Sequence, residues 1–247
     1  MAKQIYLIYI KDWRKWIKIE NIFVFYYYEV MKIYLATGNK NKKREMQELL
    51  SEHTILIPSD EGISFDPDET GTTFYENSII KAKTLYDIVH APVIADDSGI
   101  NVDALGGVPG IYSARYAGPE FEKGKPDGTK ISQEEQNLFL IQQTNDAIKN
   151  GKLPEMPYLH GERSCHYTCA MVMYAGPDRI FVAQETFEGQ LISRIEDQAG
   201  DGGFGYDPIV FLPEYNKTIA QLTADEKNAI SHRGKAVRAL QKIINLI

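Results

Sequence analysis

The sequence contains little cysteine and no long run of apolar residues. Its 247 residues include two cysteines, Cys165 and Cys169, within a run of residues that is typical of a strand. Four strand residues would separate their Cα atoms by about 13 Å, which excludes a disulfide between them. Two free buried thiols favour a reducing compartment, so we expect a cytoplasmic protein. No stretch reaches the roughly 18 apolar residues of a transmembrane helix, and no membrane partner is expected.

The sequence also contains fewer basic than acidic residues. Lysine and arginine number 27 against 34 aspartate and glutamate residues, which gives a net charge of −7. An acidic surface repels phosphate backbones, so general binding to nucleic acid is not expected. A small polyphosphate ligand is compatible with this balance if local basic groups or a metal neutralise its charge.

The first 30 residues differ from the rest in their density of tyrosine, isoleucine and tryptophan. They lack the unbroken apolar region and small-residue cleavage site of a signal peptide. A membrane-surface or partner-binding segment is one interpretation, and an upstream extension before a second start at Met31 is the preferred one. We therefore expect an N-terminal extension at 1–30 and one domain at 31–247, since 43% apolar and 25% charged residues suit a globular domain.

From Met31 onwards, strand-like and helix-like patterns alternate, which predicts an α/β fold. Strands are expected at 33–36, 54–58, 93–95, 165–175, 179–187 and 208–212. Capping-box sequences predict helix starts at Thr73, Ser132 and Thr223. Helices are therefore expected at 42–50, 73–90, 132–150 and from 223 to the C-terminus. The strands between 165 and 187 are close enough for a hairpin, so a mixed sheet is expected rather than a purely parallel one.

Charges of opposite sign follow two of the predicted strands. Lys40, Lys42, Lys43 and Arg44 come after the turn at 37–39, and Asp96 and Asp97 end the apolar strand at 93–95. Ligands of α/β sheets bind beyond the carboxyl ends of strands, where carboxylates could hold Mg²⁺ and lysines or helix N-termini could hold phosphate. Adjacent strand residues point to opposite faces, so only one of the two aspartates can face a given site. A solvated surface is the alternative interpretation of each cluster.

The glycine-rich segment 200–205 matches the G-x-G-x-x-G pattern without its usual context. A dinucleotide fingerprint opens a helix, whereas a strand-like run follows here. The glycines would instead let the backbone approach a flat ligand, with Phe204 and Tyr206 as stacking candidates, or they form an ordinary turn. Histidines lack metal-ligand spacing, and Ser98 lacks a nucleophile elbow, so covalent catalysis has little support.

Several longer motifs occur in order between Met31 and Leu240. They are 35–39 (LATGN) with Lys42, 69–71 (ETG) with 76–77 and 81–82, 95–99 (ADDSG), 105–115, 202–208 (GGFGYDP) and 226–234 (EKNAISHRG). Together they resemble the inosine triphosphate pyrophosphatase family, also called the Ham1 family, whose members hydrolyse deaminated purine nucleoside triphosphates. The departures are the extra 30 N-terminal residues and a longer polar stretch between 118 and 163.

The resemblance implies an elongated, mixed and twisted sheet flanked by helices, with an active-site cleft between two lobes, and a homodimer. It implies that Asp97 is the metal-bound catalytic acid/base and that Glu69 is a second carboxylate associated with Mg²⁺. A nucleoside triphosphate is the implied substrate. Its triphosphate would contact Thr37, Gly38, Asn39, Lys42 and Ser98. Its base and sugar would contact Phe204, Gly205, Tyr206, Asp207, Lys227, His232 and Arg233.

Arg233 is the expected reader of the base edge, since it carries hydrogen-bond donors only and could bind a 6-oxo group but not a 6-amino group. Two alternatives to this function remain open at the level of sequence. One is a Maf-type nucleotide pyrophosphatase with other base preferences. The other is a non-catalytic nucleotide sensor, which would not need Glu69 and Asp97 together.

Overall fold

A computed structural model of the chain describes residues 16–19, 22–25, 30–151, 153–154, 161–203 and 205–244. Strands β1 (Trp16–Ile19) and β2 (Ile22–Phe25) form an antiparallel pair. None of the helices in these ranges is both long and apolar enough to cross a membrane. The domain boundary expected near residue 30 stays a prediction.

A seven-stranded sheet organises the chain from residue 32 onwards. Its strands are β3 (Lys32–Leu35), β4 (Thr54–Leu56), β5 (Val93–Val102), β6 (Ser164–Tyr174), β7 (Ile180–Leu191), β8 (Val210–Leu212) and β9 (Lys217–Thr218). The spatial order is β4-β3-β5-β6-β7-β8-β9. β3 is parallel to β4 and β5, whereas each pairing from β5 to β9 is antiparallel. The predicted mixed α/β sheet is confirmed.

Five helices flank the sheet. They are α1 (Lys40–Leu49), α2 (Phe74–Val89), α3 (Gln133–Lys149), α4 (Ala224–Ile230) and α5 (His232–Ile244). The three predicted capping boxes open α2, α3 and α4, each with a hydroxyl that accepts from the backbone N–H three residues later. The prediction of one continuous helix from 223 was wrong. Ser231 is extended (φ −68°, ψ 156°), and its hydroxyl accepts from the Gly234 N–H in the first turn of α5.

Strand β5 is much longer than its sequence pattern predicted. Asp96 and Asp97 do not end the strand, because they pair with Met171 and Ala170 in the middle of the β5–β6 ladder. Pairing with the long strand β6 satisfies the backbone groups of β5 as far as Val102. The aspartates therefore lie within the sheet, beside the carboxyl end of the shorter strand β3.

The centre of β5 is also the boundary between hydrophobic cores. Ile94 packs in a core with α1 and α5, and Ala95 packs on the opposite face with α2. Further along the strand, Ile100 and Val102 belong to a separate core that includes α3 and β8. The four polar or small residues 96–99 lie between these cores, where a cleft between two lobes can open.

Both cysteines are unpaired and buried, as predicted. Burial raises the pKa of the Cys169 thiol to about 12 and raises the pKa of Cys165 further. We expect neither thiol to react with a disulfide reagent such as Ellman's reagent in the native protein, and both to react after denaturation in guanidinium. Rapid labelling of the folded protein, measured by absorbance, would contradict this burial.

Candidate active site

A cleft of about 730 Å³ opens at the centre of β5. It is lined by each of the predicted site residues that the structure describes, namely Thr37, Gly38, Asn39, Lys42, Glu69, Asp97, Ser98, Gly205, Tyr206, Asp207, Lys227, His232 and Arg233. Phe204 lies outside the described residues. The fold therefore brings together residues that are up to 196 positions apart, from Thr37 to Arg233.

One side of the cleft is a turn that opens helix α1. Asn39 is the N-cap of α1, and its side-chain oxygen accepts from the N–H groups of Asn41 (2.9 Å) and Lys42 (3.4 Å). The Thr37 hydroxyl accepts from the Asn39 N–H at 3.1 Å, which closes the turn. Gly38 leaves open space beside the backbone. A helix N-terminus with partial positive charge is well suited to an anion.

Asp96 points to the face of the sheet that carries α1 and α5, and it is completely enclosed. One carboxylate oxygen accepts from Lys42 Nζ at 2.9 Å and from Arg233 Nη2 at 3.0 Å. Burial alone would raise the pKa of Asp96, but Lys42 and Arg233 outweigh it and hold that pKa well below its usual range. Asp96 is therefore a buried anion that positions two cations.

Arg233 is held at the floor of the cleft by several acceptors. Its guanidinium pairs with Glu45 as well as Asp96 and donates to the Ser98 hydroxyl at 3.0 Å. Only 3% of the residue is exposed. These contacts give Arg233 a supporting role in the floor, and its reading of the base edge stays a prediction.

Asp97 points to the opposite face, towards α2. Its carboxylate accepts from Lys81 Nζ at 3.0 Å and from the Asn77 amide at 3.3 Å, and 8% of the residue is exposed. Lys81 Nζ also lies 3.4 Å from a Glu69 oxygen. Burial alone would lower the pKa of Lys81, but the two carboxylates raise it, so the side chain is charged.

Asn77 and Lys81 were not among the predicted site residues. The sequence did contain a signal for placing both residues at the site. Residues four apart on a predicted helix share one face, and residues 77 and 81 both occur in the family motifs. What sequence spacing could not show is that this face of α2 lies against Asp97. The close approach of α2 to the 69–71 turn needs Gly71, where a Cβ would lie 2.6 Å from the Glu76 side chain.

The donor set at Asp97 and Glu69 fits a magnesium ion. Both side chains are carboxylates, the hard oxygen ligands that Mg²⁺ prefers, and both already converge on one cationic group, Lys81. No cluster of three or more histidine, cysteine or acidic side chains arranged for a metal occurs in the described ranges. A site of two carboxylates completed by substrate phosphates is a common way to bind Mg²⁺.

The end of the cleft that is lined by Asp207, Lys227 and His232, here called the far end, contains an ion pair and a stacked pair of rings. Lys227 Nζ lies 2.8 Å from Asp207 and 3.6 Å from Glu45. The His232 ring stacks on Tyr167 with 5.0 Å between centroids and 8° between planes. Burial, together with Arg233 and Lys227, holds the pKa of His232 well below its ordinary value, so the imidazole is neutral.

The glycine-rich segment shapes this end through its backbone. Gly203 has a positive φ of 73°, and a Cβ there would lie 2.1 Å from the Asp207 carboxylate. Tyr206, a predicted stacking candidate, is 4% exposed and donates its hydroxyl to the Ser113 carbonyl at 3.0 Å. Tyr206 therefore packs mainly as part of the core, while the Tyr167–His232 stack was not expected from sequence.

Proteins similar to this chain are found both by sequence and by structure. The profile of the Ham1 family matches residues 33–243. The chain is 50% identical to the dITP/XTP pyrophosphatase of Treponema denticola over 214 residues, which are 87% of this chain and 98% of that protein. It is 39% identical to the dITP/XTP pyrophosphatase of Escherichia coli (strain K12), over 85% of this chain and 96% of that protein. A HAM1 protein structure from Coxiella burnetii superimposes with a TM-score of 0.71 at 32% identity, covering 88% of this chain and all of that one.

Proposed function

The chain belongs to the Ham1 family, and on this premise we propose that it hydrolyses deaminated purine nucleoside triphosphates such as dITP, ITP and XTP. The products are the nucleoside monophosphate and pyrophosphate. Relatives named dITP/XTP pyrophosphatase, at up to 50% identity over most of the chain, support this activity. The structural observation that carries the proposal is the cleft in which Asp97 and Glu69 converge on Lys81, opposite the N-terminus of α1.

In the proposed reaction, Asp97 acts as the general base. A water molecule attacks the α-phosphorus, and the Asp97 carboxylate takes a proton from it as the new P–O bond forms and the bond to the pyrophosphate group breaks. Asn77 and Lys81 donate to the two Asp97 oxygens, so they fix the orientation of the carboxylate. Each oxygen has a further lone pair with which to accept the proton of the attacking water.

Asp97 and Glu69 would hold Mg²⁺ in this proposal. When bound, the ion would neutralise charge on the phosphate oxygens. Glu69 has a side chain that is 31% exposed, so it is accessible from the cleft. The turn at 37–39 and the N–H groups in the first turn of α1 would bind phosphate. The Ser98 hydroxyl, which lies on β5 next to Asp97, would donate a further hydrogen bond to the phosphate.

The base and sugar would occupy the far end of the cleft. Gly205, Asp207, Lys227 and His232 line this end, and Gly203 lies against the Asp207 carboxylate. A neutral His232 can donate from one ring nitrogen and accept at the other, which suits a base edge with both kinds of group. Phe204 remains the proposed stacking residue, and such stacking tolerates any base.

Incubation of the purified full chain with ITP and a divalent cation tests the proposed function. We expect IMP and pyrophosphate in equal amounts, and no turnover when a chelator removes the cation. Orthophosphate as the primary product would contradict attack at the α-phosphorus. A panel with dITP, XTP, ATP and pyrimidine triphosphates distinguishes the alternatives. A Maf-type enzyme would prefer other bases, and a sensor would bind nucleotides without turnover.

We also propose that the chain acts as a homodimer in the cytoplasm, with residues 31–247 as the catalytic domain. The buried free thiols support a reducing compartment. The dimer rests on the family resemblance, and light scattering of the purified protein measures it directly. The net charge of −7 is unfavourable to a nucleic-acid partner.

A further inference from the structure

The cations at the floor of the cleft are already matched by acidic side chains. Each of them lies within 3.6 Å of at least one carboxylate, and together they are Lys42, Lys81, Lys227 and Arg233. The carboxylates in the same network are Glu45, Glu69, Asp96, Asp97 and Asp207. Four cations against five carboxylates leave this network with a formal charge of −1, to which a triphosphate adds several more negative charges.

Two further cations line the cleft, and both precede helix α3 in the chain. They are Arg115 and Lys130, both exposed, and neither takes part in the salt bridges formed among the described residues. Both are outside the set of site residues that the family motifs suggested. Charges that no carboxylate neutralises are the ones that can still balance an incoming polyanion.

The backbone segment that carries Arg115 is held against strand β5. It ends the short 3-10 segment Gly110–Arg115, which is bound to β5 by the Ser113 hydroxyl. That hydroxyl accepts from the Ile100 N–H at 2.9 Å, three residues beyond Asp97. Gly99 permits this contact, since a Cβ there would lie 2.4 Å from the Ser113 hydroxyl. The packing therefore holds the segment Gly110–Arg115 against Gly99 and Ile100 of β5, and Arg115 lines the same cleft as Asp97.

The side chain of Arg115 and the following loop are also ordered by contacts. The guanidinium lies over the Tyr112 ring, 5.3 Å from its centroid. Gly124 passes against Arg115, with the position of its absent Cβ only 3.1 Å from the Arg115 carbonyl oxygen. Lys130 comes two residues before Ser132, the capped start of α3. Arg115 is thus held by its neighbours, and Lys130 lies just before the start of α3.

We propose that Arg115 and Lys130 form a clamp for the outer phosphates of the substrate, the part that leaves as pyrophosphate. The assignment to the outer phosphates follows from charge, since the base and sugar are neutral and the terminal phosphates carry most of the negative charge. The polar stretch between 118 and 163, which departs from the family pattern, then has a role, because its first part carries Lys130 to the cleft. This inference rests on the proposed function.

Calorimetric titration of the full chain with sodium pyrophosphate and, separately, with IMP tests the clamp in the presence of Mg²⁺. We expect Arg115→Gln and Lys130→Gln each to weaken pyrophosphate binding by about 5- to 20-fold, because each removes a charge-assisted hydrogen bond. IMP binding should stay unchanged, because IMP lacks the outer phosphates. Arg115→Lys should retain most of the affinity. Arg179→Gln and Lys149→Gln remove the same charges outside the cleft and should leave pyrophosphate binding as in the wild type.

Unchanged pyrophosphate binding in both cleft variants would overturn the clamp. An equal loss of IMP binding would overturn it as well, since it would indicate a change of cleft shape rather than loss of a phosphate contact. These outcomes are separate from failure of the proposed function, which shows as absence of ITP hydrolysis by the wild type. Binding of pyrophosphate is measured whether or not the chain hydrolyses ITP.

Discussion

Replacement of Asp97 by asparagine should reduce hydrolysis of ITP by about 10² to 10⁴-fold. Asparagine has the shape of aspartate but neither its charge nor its basicity, so it cannot take the proton of the attacking water. The fold should persist, because Lys81 keeps Glu69 as a partner at 3.4 Å and the amide oxygen can still accept from it. Steady-state release of pyrophosphate measures the loss, and circular dichroism shows whether the variant is folded.

Asp87→Asn is the matched control for this experiment. Asp87 lies on the same helix as Lys81, and its exposed carboxylate pairs with Lys83 at 2.6 Å. The control should hydrolyse ITP at the wild-type rate, since Asp87 does not line the cleft. Turnover by Asp97→Asn near that of the control would remove Asp97 from the mechanism.

Replacement of the adjacent Asp96 by asparagine should instead affect stability most strongly. The Asp96 side chain has no exposed surface and faces Lys42 and Arg233. Removal of its charge leaves these two cations buried with less compensation, which typically costs about 3–5 kcal/mol of unfolding free energy. Urea denaturation followed by circular dichroism measures the change, and Asp87→Asn should unfold close to the wild type because its ion pair is exposed.

The stabilising effect of Asp96 should also depend on pH. Its pKa is depressed in the folded state relative to about 3.9 in an unfolded chain, so the contribution is fully present above the unfolded value. The contribution is lost as the pH falls below that value towards the folded pKa. The difference in stability between the wild type and Asp96→Asn should therefore shrink as the pH is lowered from 7 into this acidic range. A difference that is small at pH 7 would show that the buried ion pairs add little.

The secondary structure could be predicted well where local chemistry decides it. The hydroxyl and carboxylate of each capping box act within one helical turn, so the starts of α2, α3 and α4 were evident from sequence. The apolar run of β6 and its closeness to β7 likewise indicated an antiparallel hairpin, which is present. The break at Ser231 was not predicted, because an extended serine between two helical patterns leaves no strong signal in composition.

The length of β5 shows where local reasoning fails. Aspartate, serine and glycine are common in turns, so 96–99 read as the end of a strand. In the structure these residues continue the strand, because β6 supplies a partner for each of them. The burial of Asp96 depends likewise on Lys42 from α1 and Arg233 from α5, which are distant in sequence.

The sequence by itself determined the fold class, the motif residues of the cleft and the rule that Asp96 and Asp97 face opposite ways, since alternation along a strand is a local property. The resemblance to the family indicated Asp97 beside Glu69, and only the tertiary structure showed that Asp96 is enclosed by the cations Lys42 and Arg233. The tertiary structure also decided that Asn77 and Lys81 hold Asp97, and that Arg115 and Lys130 line the cleft. The physical reason is that burial and ion pairing depend on which elements pack together, and packing joins residues whose separation along the chain carries no signal.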